Sequence, residues 1–244
     1  YLRGISQNSS NRITMQKNII ITGASRGIGR ELAKIHLQNG NNVLAISRNE
    51  EKLKELYVFE NNSQLIILPM DISKQSDLDM LPGAMRNWEH LDVLYNNAGF
   101  LVNKPFSEIS ENDIDYSVAV NYKAPFRIIQ MVLDKMNSQS HIVNITTMGA
   151  VQGSVKFPGL AAYSSSKAGI VTLTELLAQE FNENQPRINC VALGAVQTEM
   201  LQEAFPGYEA PITAEEMANY LFNFGLNGHK FQNGKTIQLS VSTP

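Results

Sequence analysis

Short apolar runs alternate with longer amphipathic stretches along the whole chain. The runs are rich in β-branched residues, and turn residues or polar clusters bound them. They predict strands near Asn18–Ile21, Asn42–Ser47, Leu65–Leu68, Val93–Asn96, Ser140–Thr146, Arg187–Ala192 and Thr236–Val241. Between them the spacing shifts toward three and four. After the first strand, Ile28, Leu32, Ile35 and His36 share one side of a helix. The longest helical stretches are Glu111–Met136 and Tyr163–Phe181. Strands that are apolar without a break, separated by helices, predict an α/β fold: a doubly wound parallel sheet of about seven strands with helices on both faces. Ligands of such sheets bind at the carboxyl ends of the strands.

The composition narrows the partners. The chain has 244 residues and a formal net charge of −3, enough for one domain with a substantial core. No basic block suggests nucleic acid, and no apolar run reaches the length of a membrane span. The single cysteine, Cys190, sits in a predicted strand and reads as a buried core residue. The four histidines show no metal-ligand spacing, so no metal is expected. Residues 1–14 are polar and unlike the rest, and Met15 precedes the first strand. We expect 1–14 to be a leader or an expression remnant, 15–244 to form one domain, and the protein to be cytoplasmic.

Two motifs carry chemistry. Tyr163 and Lys167 stand four apart, one helical turn, so both side chains share a face. An ammonium beside a phenol favours the phenolate and lowers its pKa, which suits proton exchange with a carbonyl oxygen. Near the start, Ile19-Ile20-Ile21 breaks into Thr22-Gly23-Ala24-Ser25-Arg26-Gly27-Ile28-Gly29 before a helix. Such a turn gathers backbone N–H groups and a helix N-terminus at one point and favours a phosphate. Its glycine spacing differs from the Gly-x-Gly-x-x-Gly fingerprint of other dinucleotide folds.

With these motifs the chain resembles the short-chain dehydrogenase/reductase family from about Met15 onward, and the family's landmarks occur in order. The resemblance implies a single Rossmann-type oxidoreductase domain. It places Gly23, Ser25, Arg26, Gly27, Ile28 and Gly29 on the cofactor pyrophosphate and ribose, and Asp71 with Ile72 beside the adenine. The alternative for Asp71 is to cap the helix starting near Ser73. The resemblance also puts Asn97, Ala98 and Gly99 against the adenosine ribose, and Gly194, Val196 and Thr198 near the nicotinamide carboxamide. Tyr163 is implied as the proton donor in reduction. Lys167 would lower its pKa and hold the nicotinamide ribose. Thr147 would hydrogen-bond the substrate oxygen, and Asn121 would position a water beside Lys167. A homodimer or homotetramer is implied, as is a small-molecule carbonyl or alcohol substrate: a 3-oxoacyl thioester, a small ketone or aldehyde, or a sugar. The alternative is a non-catalytic sensor of NADP.

The chain departs from the family pattern in three places. Thr147 stands where serine is usual, and Leu193 where proline is usual. Thr147 and Tyr163 are sixteen residues apart, more than in common members. The extra stretch holds Ser154, a rival for the hydroxyl role, and ends in Phe157-Pro158-Gly159. Glu199–Thr213 corresponds to the family's mobile substrate loop and is short here. The second strand ends Ile46-Ser47-Arg48-Asn49 with no carboxylate. An acid there would bind the ribose hydroxyls of NAD and repel a 2′-phosphate. Arg48 can pair with a phosphate, and Arg26 can add a second contact. NADP(H) is therefore the expected cofactor, with NAD the less favoured.

Overall fold

The computed structural model describes residues 16–60 and 64–241, so the expectation for residues 1–14 lies outside the described part. In chain order the elements are β1 (Asn18–Thr22), α1 (Gly27–Gln38), β2 (Asn42–Ser47), α2 (Glu50–Lys54), β3 (Leu65–Pro69), the short turns α3 (Gln75–Leu78) and α4 (Leu81–Ala84), and β4 (Val93–Asn96). There follow α5 (Glu111–Val118), α6 (Ala124–Val132), β5 (His141–Thr147), α7 (Ala161–Glu180), β6 (Arg187–Leu193), β7 (Val196–Gln197), α8 (Glu199–Ala204), β8 (Ile212–Thr213), α9 (Ala214–Asn227) and β9 (Thr236–Leu239). Seven strands form one parallel sheet in the order β3-β2-β1-β4-β5-β6-β9. This is the doubly wound Rossmann-like fold that the alternating pattern predicts.

Burial on both faces explains why the strands lack polar alternation. Successive strand residues point to opposite sides. Ile19 and Ile21 join Val43, Ala45, Val93 and Tyr95 under α1 and α9. Ile20 joins Leu44, Leu94, Ile142 and Ile188 under α4 and α6. A run such as Ile19-Ile20-Ile21 thus feeds two cores at once, and all three residues are fully buried. Helices α5 and α9 begin with capping boxes, Ser110 with Asp113 and Thr213 with Glu216.

Two features differ from the expected element map. The helix expected over Glu111–Met136 is interrupted by a π-helical turn at Ala119–Lys123, and its last residues form a 3₁₀ turn. A second, two-stranded sheet, β7 with β8, encloses α8 and the connection after it. The main sheet sets the position of the site. Chain order runs outward from β1 to β2 and β3 on one side, then returns to β4 on the other. The loops after β1 and β4 therefore diverge and leave a crevice at the strand ends.

Candidate active site

The loops after β1 and β4 are stitched together beneath the crevice. Thr22 Oγ1 accepts hydrogen bonds from the backbone N–H groups of Asn97 and Ala98, both at 3.0 Å. Asn97 Nδ2 donates to the carbonyl of Thr22 at 2.9 Å. Two glycines are demanded by this closeness. Gly23 has φ of 71°, and a Cβ there would lie 2.9 Å from Ala98 Cα. A Cβ on Gly29 would lie 2.3 Å from the Gly23 carbonyl oxygen, so helix α1 could not start where it does.

Above this floor lies a cleft of about 470 Å³ running along the strand ends. Every residue that the sequence assigns to cofactor or catalysis lines it, except Asn121. The β2–β3 end holds Ser47, Arg48, Asp71 and Ile72, and the β5–β6 end holds Thr147, Tyr163, Gly194 and Val196. The residues present fit an extended dinucleotide. The glycine loop has no room for a Cβ at Gly23 or Gly29, an arginine pair stands at one end, and hydroxyls and an amine stand at the other.

Lys167 is 3 % exposed, and its Nζ donates to the carbonyls of Ile145 at 2.9 Å and Ala98 at 3.2 Å. Burial brings its pKa down to about 8. Burial pushes the Tyr163 phenol up to about 12. The sequence reading expects the ammonium to lower the phenol, but here desolvation dominates both groups. At neutral pH the phenol keeps its proton and the amine keeps its charge. Among the described residues the Tyr163 hydroxyl has no hydrogen-bond partner.

Thr147 ends β5 and faces the cleft, where its Oγ1 accepts from the Gly149 N–H at 3.3 Å and keeps its own proton to donate. Ser154 does not line the cleft. Its hydroxyl donates to the carbonyls of Met148 and Val151 and accepts from Lys156 Nζ at 2.8 Å. Of the two rival hydroxyls, only that of Thr147 is aimed at the site. Asn121 lies in the π-turn, fully buried behind the cleft. Its Oδ1 accepts from Phe100 N–H at 2.9 Å, and its Nδ2 donates to Phe100 O at 2.8 Å and to Ser166 Oγ at 3.0 Å. Both amide protons are engaged, so the side chain ties the β4 loop to α7 and has no donor left for a water. Asp71 lines the cleft, and its Oδ1 accepts from Ser73 N–H and Ser73 Oγ in a local turn.

Some residues of the site went unread in the sequence. Tyr116, one turn before Val120, lines the cleft and accepts a hydrogen bond from Arg48 Nη1 at 2.8 Å. The Phe100 ring packs edge-on against it. Glu203 on α8 accepts from both terminal guanidinium nitrogens of Arg26, with Nη2 at 3.0 Å from Oε2. Asn103 Nδ2 donates to the Ala204 carbonyl at 2.8 Å and fixes the end of α8. The helical spacing of Tyr116 with Val120 was a usable signal. Partners as distant in sequence as Arg26 and Glu203 leave none.

A Rossmann-like sheet with a glycine-loop cradle and a Tyr–Lys pair at its strand ends defines the dinucleotide-dependent oxidoreductase class. The short-chain dehydrogenase family model matches residues 17–209. The chain belongs to the short-chain dehydrogenase/reductase family and is an oxidoreductase of that family. It is similar to dehydrogenase/reductase SDR family member 6 of Rattus norvegicus, 34 % identical over 196 residues that cover 80 % of this chain and 77 % of the relative. It is also similar to an uncharacterized oxidoreductase of Thermotoga maritima, at 31 % identity over 76 % of this chain and 74 % of the relative. In fold it matches the 3-ketoacyl-(acyl-carrier-protein) reductase of Brucella melitensis solved in complex with NADH. The TM-score is 0.79 at 21 % identity, covering 91 % of this chain and 96 % of the other.

Proposed function

We propose that this protein is an NADP(H)-dependent reductase of the carbonyl reductase or alcohol dehydrogenase type. The reading rests above all on one cleft that joins the glycine loop and the Arg26/Arg48 end to Thr147, Tyr163 and Lys167. When bound, the nicotinamide supplies or accepts the hydride. The chain's own residues do the rest. Gly23, Gly27 and Gly29 open the floor for the pyrophosphate. Arg48, steadied by Tyr116, and Arg26 address a 2′-phosphate, and no carboxylate at the end of β2 opposes it. Thr147 donates to the substrate oxygen as charge grows there. Tyr163 delivers its proton to that oxygen. A phenol pushed up to about 12 holds its proton at neutral pH, which favours the reductive direction. Lys167 presents fixed positive charge below the site, and Asn121 holds the β4 loop that Lys167 also binds.

Loss of NADPH absorbance with ketones, aldehydes and 3-oxoacyl thioesters, run beside NADH, tests this reading. Turnover with NADPH that is largely abolished by Tyr163→Phe, with NADPH binding retained, is the expected result. Tight NADPH binding without turnover of any carbonyl would instead favour the sensor. Equal rates with NADH would refute the role given to Arg26 and Arg48.

A further inference from the structure

Apart from Lys167, the charged side chains of the cleft stand over the glycine loop and toward the β2–β3 end. Its five ionisable acidic and basic residues are Arg26, Arg48, Asp71, Glu199 and Lys167. Arg48 and Asp71 follow β2 and β3 at the far side of the sheet from β5 and β6. Glu199 sits over the glycine loop, where its Oε2 would be 3.5 Å from a Cβ on Gly27. Lys167 has its ammonium turned to two backbone carbonyls. Apart from the Lys167 ammonium, held below by two backbone carbonyls, the half of the cleft around Thr147 and Tyr163 therefore offers a substrate hydroxyls and apolar walls, and no charged side chain.

Those walls come from three segments. Leu101 follows β4, Phe157 and Leu160 precede α7, and Leu201, Phe205 and Tyr208 belong to α8 and its exit. The segments are held together: Asn103 Nδ2 donates to the Ala204 carbonyl, and Lys104 N–H donates to the Gly159 carbonyl at 3.1 Å. At the mouth Phe157 is 49 % exposed and Tyr208 45 % exposed. Large aromatic faces left in water at the rim of a cleft gain by covering with an apolar ligand. A carboxylate, phosphate or polyol placed against the same walls would lose its hydration without a replacement.

We infer that the substrate is an uncharged ketone or aldehyde bearing an apolar aliphatic or aromatic arm, gripped by Phe157, Leu201, Phe205 and Tyr208. Carboxylated carbonyl compounds and sugars are excluded by the same surface. This rests on the reductase reading above. It makes the residues between Thr147 and Tyr163 a specificity element, because the longer stretch is what carries Phe157 to the mouth.

The test uses pairs that share one carbonyl and differ only in remote charge. These are 4-acetylbenzoate against its methyl ester, and 6-oxohexanoate against its methyl ester, with a butanal, hexanal and octanal series beside them. The expected kcat/KM with NADPH is at least tenfold higher for each ester than for its acid. It should rise by up to about fourfold per added methylene in the series until the arm is filled. Leu201→Arg should bring the acid level with the ester or above it, a change that simple loss of packing would not produce. An acid turned over as well as its ester by the unaltered enzyme would overturn the inference while leaving the reductase reading intact. No turnover of any member with either nicotinamide would overturn both.

Discussion

Lys167→Met should change how stability depends on pH. In the fold the Lys167 ammonium has a pKa of about 8, against 10.5 for a free lysine, because it is buried. Holding that charge at pH 7 costs the native state about 3 kcal/mol. Between pH 8 and 10.5 the unfolded chain keeps a proton that the native chain has released, so stability from this group rises with pH. Integrating the two titrations from pH 7.0 to 9.5 gives a gain of about 2 kcal/mol. Methionine fills a similar volume without a titrating group. It forfeits the bonds to the Ile145 and Ala98 carbonyls, which lose about 1 kcal/mol each. The variant should be about 1 kcal/mol more stable than the parent near pH 7 and about 1 kcal/mol less stable near pH 9.5. Urea unfolding followed through the single, buried Trp88 measures this. Cys190 is coupled to Lys167, but burial pushes its thiol up to about 12 and keeps it protonated in the fold across this range, so the other groups cancel in the difference. A stability gap constant to within about 0.5 kcal/mol across that range would refute the argument. Turnover should be lost at every pH, so the lysine would be kept for chemistry at the expense of stability.

Three further outcomes follow from the geometry. His36 and His141 are buried and neutral, with pKa values lowered by desolvation to about 3 and about 4; the unfolded chain takes up protons below 6.5 that the native chain refuses, so stability should fall by about 2 kcal/mol per histidine between pH 7.5 and 5, and an unchanged urea midpoint would contradict this. Gly29→Ala should fold less stably and lose nucleotide binding in calorimetry, since its Cβ would press on the Gly23 carbonyl; near-normal affinity would mean that the cradle is not the pyrophosphate site. Glu203→Gln removes the carboxylate that neutralises Arg26. Because that pair is largely exposed, it holds Arg26 by no more than about 1 kcal/mol, and NADPH should bind up to about fivefold tighter with NADH unchanged; a parallel gain for both would place Arg26 away from the phosphate.

The sequence by itself determined the sheet and the lower half of the site. Strands buried on both faces must be apolar without interruption, and helices on their flanks must be amphipathic, so Ile19-Ile20-Ile21 and the spacing of Ile28, Leu32 and Ile35 were legible as they stand. The glycine loop and the Tyr163–Lys167 spacing were legible too, because each is a local constraint: a turn that excludes Cβ atoms, and one turn of helix. Tertiary structure alone decided which hydroxyl faces the cleft. Thr147 and Ser154 are equivalent as residue types, and only the fold of the connecting stretch turns Ser154 onto the Met148 and Val151 carbonyls. It also decided that Asn121 lies behind the cleft, because the amide's partners come from the β4 loop and α7. The Arg48–Tyr116 and Arg26–Glu203 contacts join segments 68 and 177 residues apart. Burial sets Lys167 and Tyr163 on opposite sides of their ordinary pKa values, and desolvation is a property of the packed surroundings, which no spacing along a chain records.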